Sequence, residues 1–369
     1  MENKTRLYYF DLIKLIAIFG VCALHFSWVG DIEFAPDMAF SAAVRRFVYG
    51  FYACTVPLFM MVNGALLLNR PMKLEKHYKS LLNISLQYIF WRGVSMLLIG
   101  LYTGVDFASW NLTKFVNVFL LLQDFDGVKL HHLWFVPMLI CIYVWFPIIK
   151  AAYDQCEHSE YGVKLLLPFM GMLLAFCFLL DDLMLFQPAI PFFNAAHLGG
   201  LRMFQPLSSS LYCSMLFYFL LGGLLHKYRD KLSRISTPLC WAAVFVGMAL
   251  LFWEWWVNSS LMGATYDNIF SSHENLPDVL LSTAVFILCQ RAEPLLTKRP
   301  GFCALAGAVS QESLSVYYFH WIFLSTVFEY LHVADSYFFN LLRSALLLFV
   351  CVLISRLLRK LPLLNKLVH

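Results

Sequence analysis

Charged residues are scarce in this sequence. Asp, Glu, Lys and Arg together make up 14% of its 369 residues, against 60% hydrophobic residues, and the mean hydropathy is +0.69. Soluble domains carry about 25% charged residues, so this composition excludes an ordinary soluble globular protein. It predicts an integral membrane protein, with the lipid bilayer as its first partner.

The sequence also lacks any functional cysteine pattern. It has ten cysteines, but none forms a CxxC motif and none stands near histidines at a zinc-like spacing. We therefore expect no disulfides, no metal site and no bound cofactor. Membrane topology accounts for the net charge of +4, so nucleic acid is not an expected partner. Since no repeat, low-complexity segment or soluble domain is visible, we expect one membrane-embedded domain over residues 1–369.

Ten apolar runs predict the transmembrane helices of an all-α, polytopic fold. If the N-terminus is cytoplasmic, most of the 27 Lys and Arg fall on the cytoplasmic side, as the positive-inside rule requires. Both termini are therefore expected in the cytoplasm, and the longer connections are expected to face outward. The predicted spans are residues 7–29, 46–68, 80–102, 132–152, 163–181, 207–226, 237–257, 276–290, 312–331 and 336–358.

The first predicted span contains three ionisable residues, Asp11, Lys14 and His25. A charged group near the centre of a spanning helix costs about 2.5 to 3.5 kcal/mol on insertion scales, so such groups usually line a polar cavity or pathway. At about 100° per residue, Lys14 and His25 point within about 20° of each other, with Asp11 nearby. Lys14 and His25 are also roughly 16 Å apart along the helix axis. We therefore expect them to serve different parts of one reaction or pathway.

Five motifs follow one another along the chain: FDLIKLIAIFGVCALHF, PLFMMVNGALLL, HLWFVPMLICIYVWFPII, FYFLLGGLL and SLSVYYFHWIFL. In this order and spacing they resemble the membrane acyltransferase-three family, and its branch of surface-polysaccharide O-acyltransferases in particular. The resemblance implies ten core helices in a bacterial cytoplasmic (inner) membrane. It also implies a cytoplasmic acyl-CoA donor, with acetyl-CoA as the expected cosubstrate. The acceptor is then a hydroxyl of a lipid-linked saccharide or a cell-envelope glycan.

The resemblance also implies roles for Lys14 and His25, since the family has a basic residue and a histidine at this spacing in its first helix. Arginine is more usual at the first position, and lysine keeps the charge without the planar fork. His25 is the candidate general base, because a neutral imidazole can deprotonate a hydroxyl near pH 7. The alternative for His25 is a histidine packed against aromatic rings at the membrane interface. Lys14 is suited to bind the donor or to stabilise transition-state charge, or else to pair with Asp11 at i,i+3.

A basic segment follows the second predicted span. An acyl-CoA donor carries phosphates, which clustered cations at the cytoplasmic mouth of the protein would bind. The alternative is that these cations only set the membrane topology. The candidate donor-binding residues of this segment are Arg70, Lys73, Lys76 and Lys79.

Histidines beside aromatic residues occur in two later motifs. His132 and Trp134 begin the fourth predicted span, where an aromatic face beside a polar group can hold a sugar ring; the alternative is an interfacial aromatic belt. His320, in the ninth predicted span, matches the family's histidine after a tyrosine-containing run. It is expected either to line the same cavity or to pack as a structural histidine.

The remaining candidates are charged residues near or within later spans. Glu254, toward the outer end of the seventh predicted span, could orient or acidify a neighbour, or lie at the interface. Arg92 is a candidate for the donor site and Arg343 for the acceptor cavity, since cations inside a membrane are costly. The pair Asp181 and Asp182 is most simply interpreted as a solvated helix end.

Two other functional classes stay open at this point. A transporter or flippase for a glycan or a small molecule also places charges in its spans, although no inverted repeat and no major-facilitator signature is visible. A lipid or protein O-acyltransferase of another membrane family could likewise use an intramembrane histidine. The sequence predicts no particular oligomeric state.

Overall fold

The protein is described by a computed structural model that covers residues 6–26, 34–120, 123–124, 126, 130–186, 195–207, 209–269, 273–328, 337–362 and 364–367. Within these residues every regular element is a helix, which confirms the all-α prediction. The α-helices are α1 Tyr9–Phe26, α2 Phe40–Tyr49, α3 Thr55–Leu68, α4 Leu74–Tyr102, α5 Leu112–Phe119, α6 Phe135–His158, α7 Leu167–Leu174, α8 Leu180–Leu185, α9 Ala195–Gly200, α10 Ser210–Lys227, α11 Arg229–Leu232, α12 Thr237–Met262, α13 Leu276–Arg291, α14 Glu293–Leu296, α15 Pro300–Leu324 and α16 Tyr337–Leu358.

Seven helical segments in the described parts of the chain are long and apolar enough to cross a membrane. The other three predicted spans overlap α10, α13 and α15, of which α10 and α13 are shorter, at 18 and 16 residues. Each of the ten apolar runs therefore contains a helix among its described residues, and the chain has the helices of a multi-pass membrane protein. Residues 27–29, 208, 329–331 and 336 of the predicted spans lie outside the described residues. The seven segments are Tyr9–Phe26, Phe40–Leu68, Leu74–Tyr102, His132–Cys156, Leu167–Leu185, Thr237–Met262 and Tyr337–Leu358.

Helix boundaries differ from the predicted spans where charged residues continue a helix beyond its apolar part. The third span was predicted to begin at residue 80, but α4 begins at Leu74. Residues 74–79 read LEKHYK, and Leu, Glu and Lys favour helix without being apolar enough to count as membrane core. Lys76 and Lys79 therefore lie on the first turns of α4, and the prediction that they lie in a loop is wrong.

The chain divides into two compact units. Unit 1 consists of Met1–Pro71 and Lys150–Ser310, and unit 2 of Met72–Ile149 and Gln311–His369. The boundaries fall inside α6 and α15. A single functional domain over residues 1–369 stays a prediction.

Close helix packing forms the core of unit 1. A Cβ on Gly64 of α3 would lie 1.7 Å from the carbonyl oxygen of Phe219 in α10, and one on Gly222 would lie 2.0 Å from that of Met61. Small residues let membrane helices approach backbone to backbone. α1 packs along α3, and α12 packs along α13. These glycines lie in the motifs PLFMMVNGALLL and FYFLLGGLL, so the motifs encode this contact.

In unit 2, polar side chains fix helix ends and turns. His77 Nε2 of α4 bonds the carbonyl oxygen of Tyr143 in α6 at 2.8 Å. Trp91 Nε1 donates to the carbonyl oxygen of Leu367, at 2.6 Å. The buried Glu312 of α15 accepts bonds from Ser355 and Arg359. Such fully bonded polar groups are what a buried or membrane-embedded helix bundle requires.

Candidate functional site

The three ionisable residues of α1 differ in burial and contacts. Asp11 is buried, whereas Lys14 and His25 are half-buried. Asp11 Oδ2 accepts bonds from Nε and Nη2 of Arg6, at 3.0 and 2.7 Å. The ion pair of Asp11 is therefore with Arg6, rather than the Lys14 pair considered as an alternative.

The start of α1 is held by one carboxylate. Glu293 accepts from the backbone N–H groups of Tyr8 and Tyr9, at 3.0 and 2.7 Å. The first amides of a helix have no partner within the helix, so Glu293 serves as a cap supplied from α14. The Tyr9 hydroxyl also bonds His226 Nδ1 of α10, at 2.5 Å. Together these contacts fix where α1 begins in unit 1.

Cations outnumber carboxylates at this end of unit 1, which we call the basic end. Lys14 interacts electrostatically with Asp11 and Arg70, and His226 with Arg70 and Arg229. Four cations thus surround two carboxylates. The basic end consists of Arg6, Asp11, Lys14, Arg70, His226, Arg229 and Glu293.

The cations of the predicted basic segment are exposed. Arg70 follows α3 and interacts with the basic end of unit 1. Lys73 precedes the first residue of α4, and Lys76 and Lys79 lie on its first two turns. Exposed, mobile ammonium groups are suited to bind phosphates as point charges.

A second polar site in unit 1 surrounds a cavity of about 350 Å³. Four carboxylates line it, together with one arginine, one tyrosine, one asparagine and two apolar side chains. We call it the acidic cavity. Its lining residues are Asp181, Asp182, Glu254, Glu274, Arg202, Tyr266, Asn275, Met184 and Leu185.

The prediction that Asp181 and Asp182 form a solvated helix end is wrong. Both are half-buried on α8, which continues beyond them to Leu185. Arg202 donates to Asp181 Oδ1 at 2.5 Å, and the backbone N–H of Leu276 donates to Asp182 Oδ2 at 3.1 Å. Residues from later parts of the chain therefore cover this helix end, which no local pattern could indicate.

Glu254 belongs to a buried network beside the cavity. Its side chain is 2% exposed, and Oε2 accepts from Asn268 Nδ2 at 2.9 Å. Asn268 Oδ1 in turn accepts from Arg46 Nη2 at 2.5 Å, and the Arg46 guanidinium lies 5.0 Å from the ring centroid of Trp255. The structure therefore places Glu254 as a cavity residue and not at an exposed interface.

Tyr266 also lines the cavity, in the connection after α12. Burial raises the pKa of Tyr266 to about 12, with nearby carboxylates, Glu254 first, adding to the shift. The phenol therefore stays protonated at neutral pH and can donate a hydrogen bond.

The C-terminal end of α1 lies at the cavity end of unit 1. α1 passes the start of α3 at Gly20, where an added Cβ would lie 2.3 Å from Thr55 Cγ2. The adjacent Cys54 interacts electrostatically with Asp278, in the first turn of α13. That turn directly follows Asn275, which lines the cavity. His25 lies beyond Gly20 in the same direction, so α1 runs from the basic end toward the cavity end.

In unit 2 the structure places His132 and His320 close together. Their ring centroids are 5.7 Å apart, and His132 stacks on Trp321 at 5.3 Å. Both histidines are buried, at 5% and 0% exposure. His320 Nδ1 bonds the carbonyl oxygen of Tyr317 at 2.7 Å, which supports the structural interpretation of this histidine.

The other unit 2 candidates have separate surroundings. Trp134 ends a short 3₁₀ turn before α6 and is half-buried, with its ring against Phe135. Arg92 is 3% exposed and donates to the carbonyl oxygens of Val118 and Phe119. Arg343 is half-buried, and its Nη1 is 3.4 Å from Asn340 Oδ1. Arg92 thus ties α5 to α4, a structural contact that the sequence did not indicate.

Sequence reasoning missed four residues of unit 1. Arg46 stands at the edge of an apolar run, where its charge was counted only toward the membrane topology. Asn268 stands in the connection between α12 and α13, and His226 and Glu293 stand at helix ends. Each of the four has a partner between 217 and 285 residues away in the chain. A carboxylate inside an apolar run, Glu254, was the one available signal. Within the described residues, no group of three or more His, Cys, Asp or Glu is arranged to hold a metal ion.

Comparison with known proteins gives one match. A family model described as "Acyltransferase domain" matches residues 7–360, nearly the whole chain. No curated protein and no solved structure shows a significant match to the chain.

Proposed function

The chain belongs to the acyltransferase-3 family, and on that premise we propose that it transfers an acyl group from acyl-CoA to a hydroxyl of an envelope or lipid-linked glycan. Acetyl is the simplest acyl group, and acetyl-CoA the corresponding donor. The proposed location is the bacterial inner membrane, with ten spans and both termini in the cytoplasm. The protein is then a multi-pass O-acyltransferase of the surface-polysaccharide branch.

The observation that carries this proposal is the course of α1. One helix bears Lys14 toward the basic end of unit 1 and His25 toward the cavity end. With a cytoplasmic N-terminus the basic end faces the cytoplasm, where acyl-CoA is present. The cavity end then faces outward, where an envelope glycan is present. A single span therefore connects the compartments of the donor and the acceptor.

In the proposed reaction, the His25 imidazole takes the proton of the acceptor hydroxyl. The hydroxyl oxygen attacks the thioester carbonyl carbon, and the resulting oxyanion is stabilised by donors held in place before the reaction. The carbon–sulfur bond then breaks, the CoA thiolate leaves, and the imidazolium returns its proton to that thiolate. The products are the ester and free CoA.

Donor binding is assigned to the basic end of unit 1, and attraction of the donor to the exposed lysines at the start of α4 in unit 2. Lys14 and Arg70 offer charge-assisted hydrogen bonds to the carbonyl and phosphate oxygens of acyl-CoA. Lys73, Lys76 and Lys79 would raise the local concentration of an anionic donor. Acyl-CoA is a cosubstrate in this scheme, and no bound cofactor is needed.

The test is acetyl transfer from [14C]acetyl-CoA to an envelope glycan fraction by the purified chain in nanodiscs. His25→Ala should lower the rate about 10² to 10⁴-fold, the usual contribution of a general base. The matched control is His158→Ala, since His158 is exposed at the end of α6, and its rate should equal that of the unmodified protein. Normal turnover by a folded His25→Ala protein would refute the base assignment.

A further inference from the structure

The acidic cavity has no assigned role in the reaction as described so far. Resting on the proposed function, we propose that this cavity is the acceptor site and that it accepts an uncharged sugar unit while rejecting uronic acids and other anionic sugars. The inference depends on the size of the cavity, its hydrogen-bonding groups, its charge and its place in unit 1.

Size favours a small ligand. Binding sites for small molecules have volumes from about 300 Å³ upward, and this cavity measures about 350 Å³. It is therefore suited to one sugar unit at the end of a glycan, with the rest of the glycan outside.

The lining matches the hydrogen-bonding groups of a sugar. Carboxyl groups offer oxygens that accept hydrogen bonds, and a sugar ring presents several hydroxyl donors. Tyr266 adds a hydroxyl that can donate to a sugar oxygen. Met184 and Leu185 supply apolar surface for the C–H groups of the ring.

Glu254 is an independent indication of a ligand. Glu254 is only 2% exposed, and it still lines the cavity. Asn268 binds its Oε2, and within the described residues Oε1 has no hydrogen-bond partner. Burial of a carboxylate is costly unless hydrogen bonds compensate for it. A sugar hydroxyl that donates to Oε1 would supply a hydrogen bond to the second oxygen of this carboxyl group.

Charge gives the selectivity. The one arginine of the lining, Arg202, is already bonded to Asp181. Asp182 is half-buried and Glu254 is 2% exposed, so a negative charge is poorly solvated beside them and costly to place there. A further carboxylate brought close to these carboxyl groups adds to that cost, because neighbouring carboxyl groups disfavour each other's charged form. A uronic acid would consequently be rejected, whereas a neutral hexose would not.

Location makes the inference consistent with the chemistry. The cavity lies at the end of unit 1 toward which α1 carries His25. The hydroxyl that His25 deprotonates would therefore belong to a sugar bound at the same end. The phosphates of the donor and the acceptor sugar then bind at opposite ends of one helix, and the thioester at the end of the donor's extended arm has to reach His25.

The experiment measures sugar binding by saturation-transfer NMR on the full chain in nanodiscs. The probes are the methyl glycosides of glucose, N-acetylglucosamine and glucuronic acid. We expect binding of at least one of the two uncharged glycosides and no binding of the glucuronide. Glu254→Gln and Asp182→Asn should weaken binding about tenfold, because each replaces a carboxyl oxygen that accepts from the sugar with an amide NH2 group that cannot accept.

The controls separate folding from binding. Gln and Asn keep the side-chain volume and can still accept from Asn268 and from the Leu276 N–H, so both variants should unfold at the temperature of the unmodified protein. Glu160→Gln changes an exposed carboxylate away from the cavity lining and should bind sugar normally. Equal binding by the cavity variants, binding of the glucuronide, or binding of neither uncharged glycoside would overturn the inference.

[14C]Acetyl-CoA binding by the same samples distinguishes the two proposals. If the donor binds normally and the sugar results fail, the cavity assignment is wrong and the proposed function stands. If the unmodified protein binds no acetyl-CoA but binds the uncharged glycosides through the cavity, the proposed function is wrong and the sugar site stands.

Discussion

The basic end and the acidic cavity of unit 1 hold their charges in different ways. At the basic end the cations are largely accessible: the Arg6 side chain is 52% exposed and that of Arg229 is 45% exposed. Beside the cavity, Arg46 and Glu254 are 1% and 2% exposed. An accessible set of cations can follow a flexible phosphate-bearing donor, whereas a buried network keeps one geometry. Under the proposed function, the end that binds the donor would tolerate variation, and the cavity that binds the acceptor would be selective.

The largest effect is expected where burial is greatest. Arg46→Met should lower the free energy of unfolding by about 1 to 3 kcal/mol, because it leaves the buried amide oxygen of Asn268 without its donor. Arg45→Met is the matched control, since Arg45 is its neighbour and is only half-buried. Thermal unfolding in detergent measures the difference. Equal melting temperatures for the two variants would mean that the buried network contributes no stability.

Lys14 should affect the reaction rather than the fold. Lys14→Met should raise the KM for acetyl-CoA about tenfold or more, because it removes a charged hydrogen-bond donor to the donor molecule. Lys14→Arg should retain part of the activity, because the charge is kept. Steady-state kinetics with purified protein measures both. Complete loss in the Lys14→Arg protein with normal expression would mean that the ammonium makes a contact that a guanidinium cannot make.

Charge reversal on α4 tests whether its exposed lysines attract the acyl-CoA donor. A Lys76→Glu, Lys79→Glu double variant should raise the KM for acetyl-CoA several-fold and leave the KM for the acceptor unchanged, because exposed charges act mainly on the attraction of an anionic donor. Raising the salt concentration should reduce the difference. Lys164→Glu, also exposed, is the control. An unaltered donor KM in the double variant would mean that these lysines contribute only to membrane topology and not to donor binding.

The smallest effect is expected at the Arg6–Asp11 pair. Arg6→Gln should cost less than about 1 kcal/mol of stability, since a partly exposed ion pair gains little over water. Thermal unfolding at low and high salt measures it. A loss as large as that of Arg46→Met would contradict the distinction between the two ends.

Hydropathy predicted the helices well because the membrane imposes their length and composition. Each of the ten apolar runs contains a helix among its described residues, and the motifs around Gly64 and Gly222 form a close backbone contact. Helix ends were less accurate, as at Leu74, because charged residues continue a helix beyond its apolar part. Hydropathy identifies the apolar part of a helix and gives no information on polar turns that extend it.

The acidic cavity could not be predicted in the same way. Arg46 and Asn268 are 222 residues apart in the chain, and Asp182 is bonded by a residue 94 positions later. Such pairs follow no helical period. A single sequence therefore indicated individual charges such as Glu254 but not what they surround.

The cap that Glu293 places on α1 has a mechanical consequence. Two bonds from one carboxylate to the first amides of the helix, at 3.0 and 2.7 Å, oppose any sliding of α1 along its axis. Because Lys14 and His25 lie on the same helix, the cap from Glu293 fixes the axial position of both side chains. A shift of one helical turn, about 5.4 Å, would move both side chains together. Under the proposed function, the contact with α14 therefore fixes the axial position of the donor-binding lysine and of the general base at the same time.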